Sequence, residues 1–302
     1  MRYSHEKWIK IFQDKKYFRD LIKKAFEKIG LKVESIENTF PGTHAVFVIN
    51  GKYVIKIYWE LFLEDFFVEE EILRSLNKNI YSGKLENFYY LIFEYTPGVP
   101  LRQLYKKGTK ISKKIIKDLA FDIKRVHQID LKRLKRINSR KWESYFETKK
   151  ENLLKKIEQY DFLSDKLKTY LMLVFSNLRP EKYKEIRLIH ADLTEDHILV
   201  DDFNNYKGII DFGDSMIAPV EYEWVALYLS GLNKNYKYFQ YFLSCYGINS
   251  FSKDNFIVFL FLHKFSDDIL KEIIGEGYIK NYNELKSFLF NYKNEEWILW
   301  KM

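Results

Sequence analysis

The sequence predicts an α+β chain of two lobes, strand-rich in its first third and helical in the remainder. Three observations carry this expectation. Short β-branched and aromatic runs, broken by turn formers, fill residues 33–95. Lysine-rich segments with helical apolar spacing fill residues 100–180. The change of character falls at Thr96-Pro97-Gly98, a turn-forming triplet. The expected lobes are residues 1–95 and 96–302.

Taken in order, residues 4–30 space Trp8, Ile9, Phe12, Phe18, Leu21, Ile22, Ala25 and Phe26 as a helix does, with Gly30 as the stop. "KVESIENTF", "AVFVING" and "KYVIKIYW" read as strands, the last two joined by a hairpin at Asn50-Gly51. Residues 61–79 return to helix, and "NFYYLIFEY" is a further strand. Within the helical remainder, "HILV" and "GII" form one short hairpin between residues 188 and 212, and residues 219–302 are helical and rich in Phe and Tyr.

The composition, 47% apolar and 18% aromatic, is that of a packed globular protein. The first 30 residues carry charges every few positions and no apolar stretch approaches a membrane span. The single cysteine, Cys245, excludes an internal disulfide framework. A cytoplasmic protein with no membrane partner is expected. The net charge of +8 is uneven: residues 100–185 hold 24 Lys+Arg against 11 Asp+Glu, whereas residues 186–232 hold 2 against 9. The acidic stretch is therefore where chemistry is sought.

"LIHADLTEDHILVDD" sets four aspartates, a glutamate and two histidines among apolar residues. Buried carboxylates need a charged partner, a metal or a reaction. With the hairpin turn centred near Asn204, His197 faces Asp211, and Asp192, His197 and Asp211 converge on one volume. Such a group suits a divalent cation and a proton acceptor. In the first third, Lys56 lies inside the apolar strand "YVIKIYW" and needs an anionic partner. The helix that follows offers three, in "VEEEILRSL".

"HADLTEDH" followed by "IDFGD" resembles the catalytic loop and metal aspartate of the aminoglycoside phosphotransferase family, which shares the protein-kinase fold. The resemblance runs over roughly residues 33–230 and implies a small strand-rich nucleotide-binding lobe and a larger helical lobe holding a catalytic β-hairpin. It implies transfer of the γ-phosphoryl group of ATP or GTP to an antibiotic hydroxyl, with Mg²⁺. Asp192 matches the residue that accepts the hydroxyl proton, and Asp211 the one that holds the metal. His197 stands where the family usually has a metal-binding Asn, as in macrolide phosphotransferases, and brings Mn²⁺ into view. Lys56 matches the phosphate-gripping lysine. Leu73 and Leu76 select Glu69 as its partner, with Glu70 the alternative. Gly42, Thr43 and His44 occupy the position of the phosphate-covering loop, although a plain strand-turn-strand reads almost as well. Phe93, Glu94 and Tyr95 match the strand and linker at the purine edge, and the donor is left open between ATP and GTP. His127 matches a helix end and reads as structural.

Acids near the site, Glu195, Asp196, Asp214, Glu221 and Glu223, and the more distant Asp267, Asp268 and Glu272, make a surface for a polycation. The expected acceptor is thus an aminoglycoside, with a macrolide or a small metabolite such as choline, homoserine or a thiosugar as the alternative. Trp224, Tyr228, Tyr236, Tyr238, Phe239, Tyr241 and Phe242 read either as a sugar-stacking surface or as core. A third reading, a basic RNA-associated protein, rests on "KRLKRINSRK" at 132–141. That run lacks interleaved aromatics, so a nucleic-acid partner is not expected.

Overall fold

A computed structural model describes residues 5–40, 42–137 and 140–290. Expectations for Ser4, Pro41, Asn138, Ser139 and the last twelve residues lie outside that range. The chain divides into two compact units: Met1–Pro97 with Lys132–Ile137 and Asp211–Asp214, and the remaining residues.

The first unit is built on a five-stranded antiparallel sheet of order β1-β2-β3-β5-β4. The strands are β1 (Ile36–Asn38), β2 (Ala45–Ile49), β3 (Tyr53–Trp59), β4 (Ile80–Leu85) and β5 (Phe88–Glu94). Alternation along β3 sends Ile55, Ile57 and Trp59 to one face. There they join Trp8 of α1 (His5–Ile11), Phe18, and Ile22, Ala25 and Phe26 of α2 (Arg19–Glu27) in one core. The helix expected over residues 4–30 is therefore two helices. Asp14 explains the break: its carboxylate accepts from the N–H groups of Lys16 and Tyr17, a local bond that competes with helix. Lys56 and Tyr58 point to the opposite face, served by α3 (Leu63–Ser75).

The β2–β3 hairpin turns at Asn50 and Gly51, both left-handed (φ 54° and 63°), and Lys52 N–H closes it on Ile49 O at 3.0 Å. Strand β4 has no period-two burial to reveal it; only Ile80 is buried. Its pairing partner β5 supplies the order, and Gly83 lies close to the Tyr90 side chain: a Cβ there would sit 2.5 Å from the Tyr90 hydroxyl, so one of the two would have to shift.

The second unit is mainly helical: α4 (Leu101–Lys106), α5 (Lys113–His127), α6 (Trp142–Ile157), α7 (Asp165–Asn177), α8 (Val220–Ala226), α9 (Tyr236–Tyr246), α10 (Lys253–Leu262), α11 (Ser266–Ile274) and α12 (Tyr282–Phe290). Ser112, Ser164, Asn235 and Ser252 each accept an N–H of the first turn they precede, which fixes where α5, α7, α9 and α10 begin. Residues 256–262 of α10 are all buried, so this helix forms the centre of the core. A π-turn at Leu227–Gly231 follows α8.

Two small sheets complete the unit: β6 (Val99–Pro100), β8 (Ile198–Val200) and β9 (Tyr206–Ile209) in one, β7 (Ile186–Ile189) with β10 (Met216–Pro219) in the other. The hairpin register corrects the sequence reading. Asp201 accepts the N–H groups of Phe203 and Asn205, and Asp201 N–H bonds Asn205 O, so the turn centres on Phe203. An irregularity between Leu199↔Gly208 and Val200↔Tyr206 then leaves Lys207 as the extra residue. His197 consequently faces Ile210, whose N–H it accepts at 3.0 Å, and not Asp211.

Candidate active site

In the first unit Lys56 is 3% exposed and its Nζ lies 2.6 Å from Glu69 Oε2 and 2.7 Å from Asp211 Oδ1. Burial alone would strip its proton, but the two carboxylates outweigh it and hold the ammonium charged, its pKa raised. The Tyr58 hydroxyl donates to the same Glu69 oxygen at 2.6 Å. Burial pushes Glu69 upward, against the pull of Lys56 and Tyr58. Asp211 reaches Lys56 from a left-handed residue (φ 67°) at the head of the Asp-Phe-Gly turn. Glu69 is the inward glutamate; Glu70 points elsewhere, to Arg74, Ser82 and Arg136.

In the second unit the loop from His190 to His197 is held by its own backbone. The buried carboxylate of Glu223 accepts the N–H groups of His190 (2.6 Å) and Ala191 (3.1 Å). His190 Nε2 donates to Ile210 O at 2.8 Å, which leaves Nδ1 to accept from Asp192 N–H at 3.4 Å. Ala191 is left-handed (φ 67°), a strained conformation of the kind that clusters at functional sites. His197 Nδ1 donates to Asp192 O at 2.6 Å and lies 3.6 Å from Asp192 Oδ2. Asp192 therefore stands on a loop pinned at both ends, with its carboxylate partly exposed.

Half of the chain and more, residues 62–237, matches the sequence profile of the phosphotransferase enzyme family. The chain belongs to that family. Solved structures agree in fold. The GDP complex of wild-type aminoglycoside 2'-phosphotransferase-IIIa is 21% identical, over 85% of this chain and 90% of that one, with a TM-score of 0.64. A streptomycin–ATP–APH(2")-IIa ternary complex is 17% identical over 89% and 91%, with a TM-score of 0.56. Spectinomycin phosphotransferase APH(9)-Ia with ADP and spectinomycin is 16% identical over 91% and 93%, with a TM-score of 0.58. The kinase-like α+β fold expected from the sequence is thus shown for this phosphotransferase.

The His44 ring is buried against Tyr58 and Phe62, with Nε2 3.6 Å from Asp65. Burial, with the nearby Lys56 charge, pushes it down to about 3. Gly42 and Thr43 are exposed, and Thr43 O accepts from the Trp8 indole at 2.9 Å. Phe93 is half-buried and Glu94 exposed, and the Tyr95 N–H is bonded to Lys52 O at 2.8 Å.

The acidic surface is smaller than the sequence suggests. Glu223 is fully buried and bonds protein groups, including His127 Nε2 at 3.4 Å. Burial raises its pKa, but His127 and His190 outweigh this and hold it low. Glu195 is buried against Ser230 and Arg102, and Asp196 pairs with the same Arg102 at 2.6 Å. Asp267 binds Lys156 and Tyr160. Glu221 is half-buried and burial raises its pKa. Asp214 is half-buried in the first unit, whereas Asp268 and Glu272 remain exposed on α11. Trp224, Tyr228, Phe239 and Phe242 are buried core, with Tyr236, Tyr238 and Tyr241 packed against it.

Sequence reasoning missed Tyr58, and it misread Glu223 as a surface acid. Among the described residues no group of three or more His, Cys, Asp or Glu side chains converges as a metal cluster. A Mg²⁺ ion held by one or two protein oxygens and completed by substrate phosphates needs no such cluster, and the oxygens of Asp211 suit it. With His197 Nδ1 carrying the proton, its Nε2 is the nitrogen with the chemistry of a ligand.

Proposed function

We propose that this phosphotransferase moves the γ-phosphoryl group of ATP or GTP to a hydroxyl of an aminoglycoside. The observation that carries this reading is the buried Lys56, paired at once with Glu69 of α3 and with Asp211 of the Asp-Phe-Gly turn. An ammonium so held is pre-positioned for the α- and β-phosphates, and it costs no reorganisation when charge develops. Asp192, on its pinned loop, accepts the proton of the acceptor hydroxyl. That oxygen forms a bond to the γ-phosphorus, the bond to the β-bridging oxygen breaks, and the nucleoside diphosphate leaves. Asp211 would hold Mg²⁺, which when bound neutralises charge on the β- and γ-phosphates.

Support for the donor comes from the similar structures, which are complexes with GDP, ATP and ADP. Support for the acceptor comes from the streptomycin and spectinomycin in those complexes and from the acids left exposed, Asp268 and Glu272. We place the reaction in the cytoplasm; among the described residues no helix is long and apolar enough to cross a membrane. Antibiotic resistance is the expected phenotype. Within the basic run on which the RNA-binding alternative rests, Leu134 and Ile137 are buried and Arg136 pairs with Glu70. The test incubates the protein with ATP or GTP, Mg²⁺ and panels of aminoglycosides and macrolides, following nucleoside diphosphate release. Turnover dependent on an aminoglycoside supports the reading; turnover with macrolides alone moves the acceptor; none with any acceptor rejects it.

A further inference from the structure

The three consecutive glutamates of α3 do two jobs. Successive helix positions point about 100° apart, so when Glu69 faces Lys56 its neighbours face away. Glu71 accepts three successive backbone N–H groups, those of Lys135 (2.6 Å), Arg136 (2.9 Å) and Ile137 (3.2 Å). Glu70 pairs with the Arg136 guanidinium, and that guanidinium lies over the Phe67 ring, 4.8 Å from its centroid. Residues 132–137 thereby belong to the first unit, although their sequence neighbours on both sides belong to the second. The segment is seated by Leu134 and Ile137, both buried.

A carboxylate in a concavity of backbone amides is a charge-assisted, geometrically specific contact. To rotate Glu69 away from Lys56, α3 would have to pull Glu71 out of that concavity and break the Glu70–Arg136 pair. We propose that Glu70 and Glu71, by gripping residues 132–137, are positioning residues that fix the rotation of α3 and so keep Glu69 on Lys56. The proposal rests on reading Lys56 as the phosphate-binding lysine. Neither glutamate touches the nucleotide in it; both act through Glu69.

The test pairs kinetics with limited trypsin digestion, since Lys132, Arg133, Lys135 and Arg136 are cleavage sites on the gripped segment. In Glu71→Ala, cleavage within 132–136 should run at least about tenfold faster, because proteolysis follows the population of the opened segment. The nucleotide KM should rise and kcat fall, together by about tenfold or more, with the KM of the acceptor unmoved, as expected for a slightly misplaced catalytic group. In a Glu69→Gln background the same substitution should cost nothing further in kinetics. Arg136→Ala, which leaves α3 intact, should reproduce a weaker version and serves if Glu71→Ala fails to fold.

Unchanged cleavage would overturn the grip. Faster cleavage with unchanged nucleotide kinetics, or a loss that adds fully to that of Glu69→Gln, would overturn the positioning role. If Glu69→Gln alone leaves turnover intact, the ion-pair reading of Lys56 fails and the positioning role fails with it; the digestion result still shows whether the grip exists, so the two failures can be told apart.

Discussion

Lys56 is buried where an ammonium can stay only in anionic company, and its sequence setting said as much. Glu69 was picked out by the family resemblance, in which the paired glutamate precedes leucines by four and seven positions, here Leu73 and Leu76. Glu223 was not legible, because its partners are backbone N–H groups and a buried histidine, and no spacing of side chains announces those. Two expectations belong at this scale. Asp192→Asn should lower kcat by about 10²–10⁴-fold, the range for a positioned base, as measured by steady-state turnover with saturating nucleotide; near-normal turnover would show that another group takes the proton. His44 concerns stability. Its ordinary value of 6.5 is pushed down to about 3 in the fold. Below pH 6.5 the unfolded chain takes up a proton that the folded one refuses, so stability falls with pH across that window, by about 1.4 kcal/mol per unit. Urea unfolding at pH 6.0 and 5.0, both inside that window, should show about this slope from His44 in the wild type and a shallower one in His44→Gln; equal slopes would mean that His44 titrates freely.

Among the elements, those with their own periodicity or turn chemistry could be read in advance. The β2–β3 hairpin at Asn50-Gly51 is one, since both residues tolerate the left-handed backbone that the turn demands. Strand β4 could not be read, because its partner β5 and not its own pattern orders it. The β8–β9 register failed by one residue: counting outward from an assumed turn centre cannot foresee a bulge. The π-turn at Leu227–Gly231 matters to the loop before β8. A Cβ on Gly231 would meet Leu193 O at 2.9 Å, and backbone cannot step aside as a flexible side chain can. Gly231→Ala should therefore disturb the loop that carries Asp192, destabilising the protein by about 1–3 kcal/mol and lowering kcat with little change in nucleotide KM. A fall in stability without any change in kcat would separate the π-turn from the loop.

For the whole molecule, composition and charge pointed to the acidic stretch but overstated its surface. Arg102, Lys156 and His127 take up acids that the sequence offered to a substrate. Binding should be visible globally. ATP or GTP with Mg²⁺ at a hundred times its dissociation constant should stabilise the fold by about 2.7 kcal/mol, read as a rise in melting temperature. In Asp211→Ala the Mg²⁺-dependent part of that rise should vanish; if it persists, Asp211 does not hold the ion.

The N-terminal helices matched no motif, yet Trp8 both enters the core behind the sheet and donates its indole N–H to Thr43 O. A shortened protein beginning beyond Phe12 would lose that strut under the residues leading into β2. It would then present as a poor nucleotide binder with every chemical group intact, a defect easily mistaken for an inactive enzyme.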